Sequence, residues 1–160
     1  MCSTAAEVQA IVEAPVEKAF EHIVPIDLTS IFTGYGPLPA VVGTRNQTGG
    51  WNAASQTRTV LLSDGSSAQE ALTEYEYPTR FGYTVKGFTG VLRFLAREAH
   101  GEWWFERVSG REATTIRWRY EFVGQTPLMK PLLCFITRLW RGYMHKALKL
   151  SMAQVEARED

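Results

Sequence analysis

Three side chains in strand-like segments could carry chemistry: Glu70, Tyr83 and Tyr120. A carboxyl group on an apolar face is costly to bury unless it is hydrogen-bonded or protonated. Glu70 would therefore either hold a ligand hydroxyl and act as an acid or base, or reach the rim and pair with an arginine. The tyrosines would either orient a polar group through their hydroxyls or pack as ordinary core residues. These three residues are the catalytic candidates.

Tyr120 belongs to a predicted strand that is rich in aromatic residues. Residues 114–122, TTIRWRYEF, alternate apolar with polar side chains, which predicts a strand with one apolar face. That face carries Ile116, Trp118, Tyr120 and Phe122. Such a face either fills an ordinary core or walls a cavity for an apolar guest.

Other catalytic chemistry has no pattern to support it. The three histidines are scattered without ligand spacing, so we expect no metal site. Cys2 and Cys134 lie far apart in unlike contexts and do not indicate a disulfide. No phosphate-binding loop or Ser-His-Asp signature occurs. We therefore expect no cofactor.

Composition narrows the class of protein. Lys and Arg number 17, Asp and Glu also 17, so the chain lacks the positive charge expected of a nucleic-acid-binding domain. The N-terminus does not resemble a secretory signal, and five charges interrupt the apolar run 128–150. We expect a cytoplasmic protein with one domain over residues 1–160, structured from about 7 to 157.

The helices that would position these residues have clear boundaries. After a strand over residues 7–13, Pro15 predicts the start of a helix that ends at Pro25, and Asp27 is a candidate N-cap for a second short helix. A long helix follows over residues 128–157. Its predicted apolar stripe consists of Leu132, Ile136, Leu139, Tyr143, Ala147 and Leu150.

The remaining segments predict an antiparallel meander. Asp64-Gly65 is typical of a two-residue hairpin turn, which would pair Thr59 with Glu70 and Thr57 with Leu72. This register places those four side chains on one face, together with Phe81 and Tyr83 of the next strand. The pattern leaves the register of residues 33–54 open.

The last hairpin, closed at residues 109–112, extends the aromatic face. Its register places Trp103 beside Trp118 on the apolar face, and Phe105 beside Ile116. Trp104 and Arg117 then lie on the other face.

The order of these elements resembles the helix-grip fold of the START-like (SRPBCC) superfamily, an α+β fold whose curved antiparallel sheet wraps around a long C-terminal helix. VEAPVEKAFEHI near the start, SQTRTVLLSDGSSAQEALTEYEYPTRFGYTV and WWFERVSGREATTIRWRYEF look like the bacterial polyketide cyclase/dehydrase and lipid-transport family. The resemblance implies a cavity between sheet and helix that holds lipids, polyketides, hormones or quinones. Only some members of the family are catalytic.

Three functions follow as hypotheses. The first is binding of a hydrophobic or amphipathic small molecule without turnover. The second is a cyclase or dehydratase that uses Glu70 or a cavity tyrosine. The third is a lipid or quinone chaperone with weak membrane-surface contact, suggested by Met144, Leu148 and Met152 on the outer helix face; the oligomeric state is left open. The expected ligand-binding residues are Thr57, Thr59, Glu70, Leu72, Phe81, Tyr83, Trp103, Phe105, Trp118, Tyr120, Leu139 and Tyr143.

Overall fold

A computed structural model describes residues 2–157 of the chain. Seven strands and a long helix dominate it. The strands are β1 (Ser3–Val12), β2 (Val41–Arg45), β3 (Thr57–Leu62), β4 (Ser67–Glu76), β5 (Arg80–Lys86), β6 (Ala96–Arg107) and β7 (Thr114–Gly124). The helices are α1 (Val16–Ile23), α2 (Leu92–Leu95) and α3 (Lys130–Ala157), with 3-10 turns at Leu28–Ser30 and Pro127–Met129.

All seven strands form one antiparallel sheet in the order β1-β7-β6-β5-β4-β3-β2. The sheet is curved, and α3 crosses its concave face, as the helix-grip prediction required. Helix α1 follows Pro15 directly, and the Asp27 side chain caps the next 3-10 turn by accepting from Thr29 N. Strand β1 begins at Ser3, earlier than the expected residue 7.

The β6–β7 hairpin has the predicted register. Trp103 pairs with Trp118 and Trp104 with Arg117. Both Trp103 and Trp118 are buried, whereas the Arg117 guanidinium lies 4.0 Å above the Trp104 ring on the convex face. The aromatic face therefore continues across both strands, as expected.

The predicted register of the β3–β4 hairpin is wrong by one residue. Its loop holds three residues rather than two, since Leu62 N bonds to Ser66 O and Gly65 takes a φ of 87°. The extra residue pairs Arg58 with Glu70, and Thr57 with Ala71. A slip of one residue moves a side chain to the other face. Thr57 and Thr59 therefore lie on the convex face.

Helix α3 is rotated slightly from its predicted orientation. Its buried residues are Leu133, Thr137, Tyr143, Met144, Ala147, Leu148, Ser151 and Val155. Thr137 and Ser151 were absent from the predicted stripe because they are polar, but their hydroxyls donate to the Leu133 and Ala147 carbonyls. Leu132 is consequently exposed. No helix within residues 2–157 is long and apolar enough to cross a membrane.

Candidate functional site: a cavity between the sheet and helix α3

The concave side of the sheet is not completely filled. A cavity of about 380 Å³ lies between the sheet, the segment 23–41 and helix α3. Most of its wall is aliphatic or aromatic. The sheet contributes Val60, Ala68, Phe81, Val85, Trp103, Trp118 and Phe122, and the helix contributes Ile136, Trp140 and Tyr143.

Stacked rings form the rigid part of this wall. The Trp103 and Trp118 rings lie 4.4 Å apart between centroids. On the helix side, Phe32 stacks on Trp140 with 5.7 Å between centroids. Tyr120 bridges the two sides, because its ring lies 5.0 Å from that of Trp140. These large groups leave a gap that an apolar guest could occupy.

An ion pair stands in this apolar wall. Arg58 donates to Glu70 Oε1 from Nε at 3.0 Å and from Nη2 at 2.6 Å. Both side chains are almost completely buried. The Arg58 guanidinium also lies 3.9 Å above the Trp51 ring. Both Arg58 bonds end on Glu70 Oε1, and no other described residue donates a hydrogen bond to Glu70 Oε2.

The Trp51 contact depends on an unusual backbone. Trp51 has a φ of 57° in the loop between β2 and β3, and its side chain is buried against the cavity. Bulky residues rarely adopt this left-handed conformation. It directs the indole over Arg58 and so covers the ion pair from one side.

Two tyrosines, Tyr83 and Tyr120, join Arg58 and Glu70 as the polar residues of the cavity wall, and together these four form its polar group. The Tyr83 hydroxyl accepts a hydrogen bond from Trp118 Nε1 at 3.2 Å. Tyr120 is only 7 % exposed, and its hydroxyl has no hydrogen-bond partner within residues 2–157. Burial raises the pKa of both tyrosines well above the ordinary value, and the charge of Glu70 raises the pKa of each further. Both hydroxyls are therefore protonated at neutral pH and can donate to a guest.

Tyr143 has a structural task. Its hydroxyl accepts from Gly34 N at 2.8 Å and donates to Pro39 O at 2.9 Å. Burial raises its pKa, and the bond from Gly34 opposes that effect. The residue therefore ties the 34–39 loop to helix α3 beside the cavity.

The structure separates the expected ligand-binding residues into two groups. Lining the cavity are Glu70, Phe81, Tyr83, Trp103, Trp118, Tyr120 and Tyr143. Outside its wall are Thr57, Thr59, Leu72, Phe105 and Leu139. The threonines lie on the convex face, Leu72 is completely buried in the sheet, and Phe105 packs on Phe20 of α1. Leu139 is half-buried on the flank of α3.

Arg58, Trp51 and Trp140 are lining residues that sequence reasoning missed. A three-residue reading of the SDG loop would have placed Arg58 opposite Glu70. Trp140 lies outside the predicted stripe of α3, because that stripe is rotated from the face that packs on the sheet. Trp51 had no periodic signal, since it lies in a loop. Within residues 2–157, no cluster of three His, Cys, Asp or Glu side chains could hold a metal ion.

Solved structures with the same architecture are distant in sequence. Ara h 8.0201 is 17 % identical, with a TM-score of 0.67, and the match covers 98 % of this chain and all of that one. Truncated norcoclaurine synthase from Thalictrum flavum is 9 % identical, with a TM-score of 0.73 and coverage of 99 % and 96 %. A Nitrosospira multiformis protein is 17 % identical, with a TM-score of 0.64 and coverage of 98 % and 100 %.

The sequence comparison is more specific. No curated protein sequence matches the chain. A family model described as "polyketide cyclase / dehydrase and lipid transport" matches residues 3–157, which is nearly the whole chain. The helix-grip fold and this match agree: the chain belongs to the polyketide cyclase/dehydrase and lipid-transport family of START-like proteins.

Proposed function

We propose that the protein binds an amphipathic small molecule of lipid, polyketide or quinone-like character in the cavity between the sheet and α3. The observation that carries this proposal is the polar group Arg58, Glu70, Tyr83 and Tyr120 within a wall that is otherwise apolar. Small-molecule sites commonly combine an apolar lining with a few polar groups that fix orientation. The guest's apolar body would lie among the rings.

The polar end of the guest can be described chemically. Glu70 Oε2 offers an acceptor, and the Tyr120 hydroxyl offers a donor or an acceptor. The Arg58 contact neutralises Glu70, so the site does not call for a positively charged guest. A hydroxyl, phenol or carbonyl group on an apolar skeleton satisfies these partners best.

A pair of guests that differ by one hydroxyl tests the proposal. Naphthalene and 2-naphthol are titrated separately into the protein while tryptophan emission is recorded. We expect saturable quenching by both, with 2-naphthol bound about tenfold more tightly, since a hydrogen bond to a charged group contributes about 1.5–3 kcal/mol.

Two variants locate the effect. Tyr120→Phe and Glu70→Gln should each reduce the preference for 2-naphthol and leave naphthalene binding nearly unchanged. Tyr35→Phe is the matched control, because Tyr35 does not line the cavity. Absence of saturable binding by either guest contradicts the proposal, and an unchanged preference in both variants contradicts the assigned polar group.

A cyclase or dehydratase activity is the second candidate. The observation in its favour is that Glu70 Oε2 and the protonated Tyr120 hydroxyl both lack hydrogen-bond partners within residues 2–157, so an acceptor and a donor lie in one cavity. Incubation with a linear poly-β-ketone, followed by mass spectrometry, tests for loss of water. Turnover that disappears in Glu70→Gln supports this candidate, whereas binding without turnover leaves the first.

A further inference from the structure

An exposed apolar surface adjoins the cavity. It consists of Val91, Phe94, Leu128, Leu132 and Phe135, which we call the docking face. Leu128 is 90 % exposed, Phe94 57 % and Phe135 56 %. Single exposed apolar residues are ordinary, but a cluster of this kind marks an interaction site.

The members of the docking face come from two neighbouring segments. Gln125 joins them, because its backbone N bonds to Leu95 O at 2.9 Å and its Nε2 to Arg93 O at 3.0 Å. Helix α2 therefore lies beside the start of α3. Val91 lines the cavity and is also 76 % exposed, so the cavity has its mouth beside this face.

Cationic side chains flank the docking face. The segments that carry it, residues 91–95 and 128–135, contain Arg93 and Lys130 and no Asp or Glu. The Arg93 guanidinium is 4.6 Å from the Phe94 ring. A chain with no net charge thus places two positive charges beside its exposed apolar residues.

We propose that the docking face binds the surface of a lipid bilayer that carries anionic headgroups. Aromatic and aliphatic side chains insert at the boundary between headgroups and acyl chains, and flanking Lys and Arg side chains bind anionic lipids. Because the face borders the cavity mouth, docking there would bring the cavity to the source of an apolar guest. This purpose rests on the proposed function, but docking itself does not.

Asp64, an acidic residue near the mouth of the cavity, limits how the protein can lie on an anionic bilayer. Asp64 is exposed and accepts two hydrogen bonds from Ser66, which lower its pKa and stabilise its charged form. It belongs to the β3–β4 loop beside Gly90. The α2 and α3 side of the mouth should therefore approach the bilayer, and the β3–β4 loop should face water.

The docking face differs from the membrane surface that the sequence suggested. Met144 and Leu148, expected on the outer face of α3, are buried against the sheet. They cannot contact a bilayer in this structure. The exposed residues near the start of α3 take their place.

Vesicle co-sedimentation tests the proposal. The full chain is mixed with vesicles of phosphatidylcholine alone or with about one quarter phosphatidylserine. We expect binding to the anionic vesicles, with weaker binding at high salt. Phe94→Ser together with Phe135→Ser should reduce affinity at least tenfold, and Arg93→Gln should reduce it about fivefold.

Val42→Ser is the matched control, because Val42 is 59 % exposed but lies on β2. All these side chains are exposed, so the variants should fold. Equal binding by Val42→Ser and the double variant overturns the proposal, as does absence of binding to anionic vesicles. Sedimentation velocity without lipid adds a further test: self-association that the double variant abolishes would assign the face to a second copy of the chain and overturn it.

The two proposals fail separately. Tyr120→Phe should leave vesicle binding unchanged while it alters the preference for 2-naphthol. Loss of vesicle binding in Tyr120→Phe would contradict the assignment of the docking face. Loss of 2-naphthol binding in the variant Phe94→Ser with Phe135→Ser, measured without vesicles, would show that the docking face is not independent of the cavity.

Discussion

Trp118 on β7 donates a hydrogen bond from its indole Nε1 to the Tyr83 hydroxyl on β5, at 3.2 Å, across the intervening strand β6. The residue between them is Gly101, which pairs with Tyr83 on one side and Tyr120 on the other. A Cβ at position 101 would collide with the Tyr83 ring and hydroxyl. The absent side chain therefore allows Tyr83 to lie across the sheet and reach Trp118.

Substitution of Gly101 by alanine should displace Tyr83. We expect the loss of its bond to Trp118, a destabilisation of about 1–3 kcal/mol from overpacking, and weaker naphthol binding as the ring moves into the cavity. Urea unfolding and the naphthol titration measure the two effects. Gly82→Ala is the control, because a Cβ there meets only ordinary contacts. Equal effects of the two substitutions would contradict the role of Gly101.

Breaking the Arg58–Glu70 pair should lower the free energy of unfolding more than replacing both residues with apolar ones. Glu70→Ala leaves a buried arginine without its partner, so we expect a loss of about 3–5 kcal/mol in the free energy of unfolding. The double variant Arg58→Met with Glu70→Leu should recover most of that loss and abolish the preference for 2-naphthol. Chemical denaturation of both variants measures these changes in the free energy of unfolding. A double variant as unstable as Glu70→Ala would show that the pair itself stabilises the fold.

Sequence predicted the fold wherever alternation was strict. The β6–β7 register followed from the alternation of residues 114–122 together with the hairpin closed at residues 109–112, so Trp103 and Trp118 were placed correctly although Trp104 interrupts the alternation of β6. The β3–β4 register depended instead on the length of one loop. The sequence SDG suits a two-residue turn as well as a three-residue loop, and the structure has the latter.

That one residue altered the polar part of the site. It moved Arg58 to the concave face in place of the threonines, and thereby converted Glu70 from a lone carboxyl group into an ion-paired one. Trp51 could not be predicted because a loop residue with a left-handed backbone has no periodicity. Local alternation fixed the aromatic wall, while the polar residues depended on loop geometry that composition does not reveal.

High pH should destabilise the protein through Tyr83 and Tyr120. Burial raises the pKa of both in the folded state above the unfolded value of about 10. The stabilisation is therefore fully present below pH 10 and is lost as the pH rises beyond it, by up to about 1.4 kcal/mol per pH unit for each tyrosine. Urea midpoints between neutral pH and about pH 11 measure this slope. Tyr120→Phe should reduce it, and an unchanged slope would contradict the burial argument.

Trp118→Ala should enlarge the cavity and change which guests it prefers. Trp118 is completely buried, and it borders the existing space on one side and stacks on Trp103 on the other. We expect cooperative unfolding with a loss of about 3–5 kcal/mol, and tighter binding of pyrene relative to naphthalene, because the removed indole leaves room for a larger ring system. Urea unfolding and parallel titrations with both guests measure these effects.

Ile116→Ala is the matched control for Trp118→Ala, since Ile116 is equally buried on the same strand but does not line the cavity. It should lower stability and leave the ratio of pyrene to naphthalene affinity unchanged. If Trp118→Ala also leaves that ratio unchanged, the aromatic face forms a filled core rather than the wall of a ligand site.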